Sequence, residues 1–219
     1  KGIPHILEHS FLAGGSEKYP VKQLINELKN GVICSDLNGF TFPDKTQYPF
    51  STIDENDFTK MMDVYLDMVF NPYFLKNKKV FQEEGWHYSA ENENDPIQYS
   101  GVVYNEMKGT TYSLGSMLYN GVCRSLFPDT SYKYVSGGVP DAIETLTFEE
   151  VKDFYNKYYQ PSNSYIVMVG DMNILDKLER INENYLENYD LKEVDSELEI
   201  QKPFKAQVEN VEEYPLGID

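Results

Sequence analysis

Apolar positions along the chain recur with a period that changes several times, and each change marks an element. Between residues 54 and 70, Phe58, Met61, Met62, Tyr65, Met68 and Val69 return every three or four residues, which predicts a helix with one apolar face that ends at Asn71-Pro72. A methionine stripe of this kind reads as core. Phe148, Val151, Phe154, Tyr155 and Tyr158 repeat the pattern; Thr147-Phe148-Glu149-Glu150 opens that helix as a capping box and Pro161 closes it. Further helices are predicted over 4–13, with Pro4 in the first turn and Gly14-Gly15 as the stop, and over 21–28, running to Asn30-Gly31. The segments 78–91, 99–110, 114–127 and 173–186 also read as helix, and 92–96 breaks the chain.

Two runs rich in β-formers, Val32–Phe42 and Thr46–Ile53, predict a hairpin about Pro43-Asp44, with Pro49 at an edge or bulge. Ser164–Gly170 reads as a buried strand. After Glu187 the chain is acidic and loses periodicity. The expected organisation is therefore an α+β module over 1–190, a mostly antiparallel sheet covered by helices, followed over 191–219 by a linker or the start of another module.

Composition adds exclusions. Of 219 residues, 41% are hydrophobic and 14% aromatic, enough for a sizeable core. A formal charge of −17, from 36 acids against 19 bases, repels phosphate backbones and argues against a nucleic-acid partner. Cys34 and Cys123 form neither a CxxC nor a zinc-ribbon spacing, so a disulfide framework is not expected. No run approaches the roughly 18 apolar residues of a membrane span. A cytoplasmic setting is the first expectation, with organellar or secreted settings open. The abrupt opening at "KGIPHILEH" leads us to expect a fragment whose first strands lie upstream.

The same "HILEH" holds two of the three histidines. At about 100° per residue, His5, Glu8 and His9 leave a helix within one arc of roughly 100°. Two imidazoles one turn apart can reach a single cation, and Glu8 beside them can take a proton from water that zinc has acidified toward a pKa of about 7. A catalytic zinc needs a third protein ligand and an open position. His87, Glu83, Glu84 and Glu106 are all candidates for that ligand on residue type alone. The plainer reading, an amphipathic helix carrying two imidazoles, stands beside this one.

"HILEH" has the inverted zinc motif HxxEH of the inverzincins. "GIPHILEHSFLAGGSEKYPVK", "LNGFTFPDKTQYPFST", "DVYLDMVFNP", "FQEEGWHY", "GVVYNEMKG" and "LTFEEVKDFYNKYYQPSNSYIVMVGD" resemble, in that order, the insulinase/pitrilysin family of zinc metallopeptidases, and its presequence-protease branch most closely. The likeness runs from about residue 2 to 171. It implies an insulinase/mitochondrial-processing-peptidase-like module, one Zn²⁺ per chain held by His5, His9 and Glu106, and Glu8 as the catalytic base. Glu83 and Glu84 remain runners-up as third ligand, and His87 reads as a packing or hydrogen-bonding residue. The resemblance also implies that Asn38, Gly39 and Phe40 hold a peptide substrate as an added strand, where a glycine leaves room for close approach. The expected partners are a short or unfolded peptide and the remaining modules of the same polypeptide, or a partner chain, closing a chamber around it. The alternative is a non-catalytic structural or peptide-binding relative of the same fold.

Overall fold

The site-bearing helix is covered on most of its sides. In the computed structural model, which describes residues 1–211 and residue 213, α1 (Ile3–Gly14) buries Ile6, Leu7 and Phe11 completely. There follow α2 (Leu24–Gly31), β1 (Asp36–Leu37), β2 (Phe40–Thr41), β3 (Thr46–Gln47), β4 (Phe50–Ser51), α3 (Glu55–Phe70) and α4 (Lys78–Glu84). Next come β5 (His87–Ser89), β6 (Gln98–Ser100), α5 (Val102–Thr110), α6 (Leu114–Leu126), α7 (Pro140–Ile143), α8 (Phe148–Tyr158) and α9 (Ile174–Ile181), the last continued by a π turn over Asn182–Leu186. The architecture is α+β, with helices around small antiparallel ladders, as the sequence predicts.

Local chemistry explains the strongest elements. Asp54 caps α3 by accepting from Asp57 N (2.9 Å), and the methionine stripe turns inward, with Met61 and Met68 fully buried. The capping box of α8 is present: Glu150 N donates to Thr147 Oγ1 and Thr147 N to Glu150 Oε2. Between these helices Phe11 meets the rings of Tyr48, Phe74, Tyr155 and Tyr159, all with centroids within 5.9 Å. Arrangements of this kind add to the area they bury. α1 packs on α2, α3, α4, α5, α8, β2 and β3, so its side chains are positioned from several directions at once.

The predicted hairpin exists but is interrupted. β1 pairs antiparallel with β4 (Leu37 opposite Phe50) and β2 with β3 (Thr41 opposite Thr46), leaving Asn38-Gly39 and Tyr48-Pro49 between the two ladders. Pro49 sits in that break, where its missing N–H interrupts nothing, and its carbonyl accepts from Asn38 N (3.2 Å).

Three expectations need correction. The helix expected over 78–91 ends at Gly85, and His87–Ser89 pairs as a strand with Gln98–Ser100, which also shortens the helix expected from 99. Aromatic contacts decide this: Tyr88 lies opposite Tyr99, their rings 5.3 Å apart, and Trp86 meets both. The strand expected over 164–170 is neither buried nor paired among the described residues; Tyr165 is 99% and Val169 87% exposed. Its composition suits a strand, but a strand is held by its neighbours, and none adjoins it here.

The last buried side chain is Tyr185, and no helix or strand follows Leu186 among the described residues. Part of the region expected as linker, Glu212 and residues 214–219, lies outside the described residues. None of the described helices is long and apolar enough to cross a membrane.

Candidate metal centre

His5, Glu8 and His9 leave α1 on one side, as the helical period requires. Ile6 and Leu7 go into the core, which fixes the helix's rotation and aims the imidazoles at α4 and α5. Glu106 arrives from α5, where Val103 and Met107 are buried and hold its helix against α1. Its Oε2 lies 3.7 Å from His5 Nε2 and 3.5 Å from His9 Nε2. The donor atoms of His5, His9 and Glu106 all lie within 4.8 Å of one another, so the three residues could hold a metal ion. The His5 side chain is 11% exposed, that of His9 24% and that of Glu106 46%, so the cluster is walled on the His5 side and open on the Glu106 side.

The other candidates for third ligand separate cleanly. Glu83 turns to the surface and accepts from Lys22 Nζ at 2.8 and 3.0 Å. Glu84 is buried, with Oε2 3.6 Å from His9 Nδ1, the ring nitrogen opposite the Glu106 side. His87 stands apart, its Nδ1 2.8 Å from Gln82 O.

The two imidazoles are tuned in opposite directions. Burial is the main cause that lowers the pKa of His5, and the neighbouring His9 charge adds to it. Burial also opposes charge on His9, but Glu84, then Glu106 and Glu8, outweigh it and raise its pKa. The rings meet edge to face with centroids 4.8 Å apart.

Glu8 is buried at 6% exposure, and it accepts a hydrogen bond on Oε2 from Thr41 Oγ1 (2.6 Å). A Cβ at Gly39 would fall 2.7 Å from Glu8 Cγ and 2.9 Å from Oε1. The space beside this glycine is thus filled by Glu8. Phe40 is 43% exposed, while Asn38 Oδ1 accepts from the neighbouring Gly39 N and the Asn38 carbonyl accepts from Tyr65 Oη on α3.

Residues that sequence reasoning passed over also shape the site. Gly137 backs His5: a Cβ there would lie 2.4 Å from Met107 Sδ and 3.2 Å from His5 Nδ1. Tyr48 and Tyr159 lie hydroxyl to hydroxyl at 3.4 Å, and burial, with the Glu8 charge among the lesser causes, pushes both phenols up. In the sequence the one visible signal for Gly137 is its pairing with Gly138 after Ser136. For Thr41 the signal is its place two residues after Gly39.

A buried helix offering two imidazoles and a carboxylate toward a carboxylate on a second helix is a candidate metal centre set in an α+β architecture. The profile of the insulinase family (peptidase family M16) matches residues 1–119, and that of the peptidase M16 inactive domain matches residues 145–216. The chain belongs to the insulinase (peptidase M16) family.

Protein HypA of Clostridium perfringens is 49% identical over 217 residues, covering 99% of this chain and 22% of that protein. Presequence protease 1, chloroplastic/mitochondrial, of Arabidopsis thaliana is 43% identical over 220 residues, covering 100% of this chain and 20% of that protein. The chain thus spans about a fifth of the length of these two relatives. The first half of the periplasmic protease PqqL from Escherichia coli shares the fold at a TM-score of 0.66 and 20% identity, over 94% of this chain and 40% of that one.

Proposed function

We propose that residues 1–190 form the catalytic module of a zinc metalloendopeptidase that hydrolyses short or unfolded peptides. The observation that carries this reading is the convergence of His5 Nε2, His9 Nε2 and a Glu106 oxygen beside the Glu8 carboxylate. The donor set suits zinc. Two donors, each about 2.0–2.1 Å from a tetrahedral ion, stand about 3.4 Å apart. The Glu106 oxygen lies 3.5 and 3.7 Å from the two imidazole nitrogens, near that edge and beyond ordinary hydrogen bonding.

His5, His9 and Glu106 would hold the ion, and Glu84 at His9 Nδ1 would fix the ring's orientation from behind. When bound, zinc supplies a Lewis acid that polarises the scissile carbonyl and makes water more acidic. Glu8 accepts the proton of the attacking water at a carboxylate oxygen and passes it to the departing amine. Its burial excludes bulk water from that transfer. The strand at Asn38, Gly39 and Phe40 would take the peptide backbone, with affinity from main-chain hydrogen bonds and little sequence selectivity.

The relatives' greater length supports a larger enzyme in which further modules of the polypeptide, or a partner chain, close the chamber. Burial that ends at Tyr185 supports a module boundary near 190, with 191–219 leading onward. Cys34 and Cys123, neither in a disulfide, are compatible with a reducing compartment, cytoplasmic or organellar.

Glu8→Gln in the full-length enzyme tests the base directly. Peptide turnover should fall by about three orders of magnitude or more while the metal stays bound, since general-base catalysis alone contributes roughly 10²–10⁴-fold. Unchanged turnover would remove Glu8 from the role.

A further inference from the structure

We propose that Thr41 is the positioning residue of the catalytic base: its hydroxyl anchors one oxygen of Glu8 so that the other is presented for proton transfer. This rests on the reading of Glu8 as base.

A buried carboxylate must be hydrogen-bonded, and how it is bonded sets its plane. Among the described residues Glu8 takes one such bond, from Thr41 Oγ1 to Oε2 at 2.6 Å. That distance lies at the short end of the range for a hydroxyl-to-oxygen hydrogen bond. The other oxygen, Oε1, lies over Gly39, where the absence of a Cβ leaves it room. Thr41 lies on β2 and Gly39 in the break just before it, and both face Glu8 of α1. One supplies the anchor and the other the space.

The donor is itself held. Threonine is β-branched and stiff at χ1, so its hydroxyl is aimed by the backbone. That backbone is fixed by pairing with Thr46, and the turn beyond it is tied down where Tyr132 Oη donates to Asp44 Oδ2 (2.7 Å). The strand proposed to receive the peptide thus also orients the base, so a peptide on that strand meets a carboxylate aligned by the same two residues.

The test uses the full-length enzyme with a fluorogenic peptide. Thr41→Val keeps the shape and removes the hydroxyl; Thr41→Ala removes it without adding bulk; Thr41→Ser keeps it. We expect Thr41→Val and Thr41→Ala to lower kcat about tenfold or more, with KM within about twofold and zinc content unchanged. Thr41→Ser should recover kcat to within about threefold of the parent. A readout independent of turnover is the melting temperature of the metal-free protein: Thr41→Val should lower it in the parent and by clearly less in a Glu8→Gln background, because the charge that the hydroxyl serves is gone.

Full kcat in both hydroxyl-free variants, a serine variant no better than valine, loss of zinc along with activity, or equal melting shifts in both backgrounds would each overturn the assignment. Glu8→Gln run alongside separates the two claims. An inactive Glu8→Gln with a fully active Thr41→Val defeats only the positioning role, whereas an active Glu8→Gln defeats the base and, with it, this proposal.

Discussion

Helix α1 and the extended segment 164–170 are both rich in apolar side chains, and they end in opposite environments. In α1, Ile6, Leu7 and Phe11 are wholly buried, and the helix is held by neighbours from several directions. In 164–170, Tyr165, Val167 and Val169 face solvent, although the run from Tyr165 to Val169 is apolar throughout and rich in β-branched residues. An apolar pattern specifies a face. Only the partner across that face turns it into stability, and for a strand the partner must also supply hydrogen bonds.

The sharpest way to break this comparison is to remove a side chain from each region. Phe11→Ala deletes a ring that meets four other aromatic rings at zero exposure, and should cost about 3–5 kcal/mol in urea unfolding. A loss below about 1 kcal/mol would mean that α1 is not the packed centre we describe.

An intermediate case is Glu150, at the start of α8. The Lys1 ammonium, first among the causes, and then the bond from the Thr147 N–H lower its pKa from 4.5 to about 2. Because the folded value is depressed, its contribution is fully present above about pH 4.5 and is lost as pH falls from there through about 2. The pair with Lys1 is nearly half exposed, so the effect is small. Glu150→Gln should flatten the acid limb of the stability profile measured in that window; an unchanged limb would show that the bonds to Lys1 and Thr147 carry no weight.

At the small end, Val167→Thr should change the stability of a chain of these 219 residues by less than about 0.5 kcal/mol, because this valine is 81% exposed. A cost above 1 kcal/mol would show that 164–170 is paired after all.

The same contrast explains what was legible in the sequence. The 3.6-residue period placed His5, Glu8 and His9 on one arc, and the capping box, the methionine stripe and Pro49 at its break all followed from local rules. Glu106 did not: spacing left it among four candidates, and only resemblance to the family singled it out. Glu83 and Glu84 show why. They differ by one position, about 100° around a helix, and one reaches Lys22 while the other reaches His9. Chain geometry that decides between such neighbours is tertiary, and no local rule supplies it. Gly39 was legible as a special position, but the space beside it holds Glu8, a contact between residues 31 positions apart. The strand at 87–89 was missed because the helical pattern of 78–84 was extended past Gly85, where aromatic pairing across to Tyr99 takes over.

The central claim is that imidazoles from one helix and the Glu106 carboxylate from another meet on a single ion. Zinc content of the purified full-length protein, measured for the parent, Glu106→Gln and Glu84→Gln after dialysis against a weak chelator, tests it most directly. We predict about one zinc per chain in the parent, a loss of tenfold or more in affinity for Glu106→Gln, and a smaller loss for Glu84→Gln, in keeping with a ligand and a residue that only orients one. A parent that binds no zinc after reconstitution, or a Glu84→Gln defect larger than that of Glu106→Gln, would contradict it.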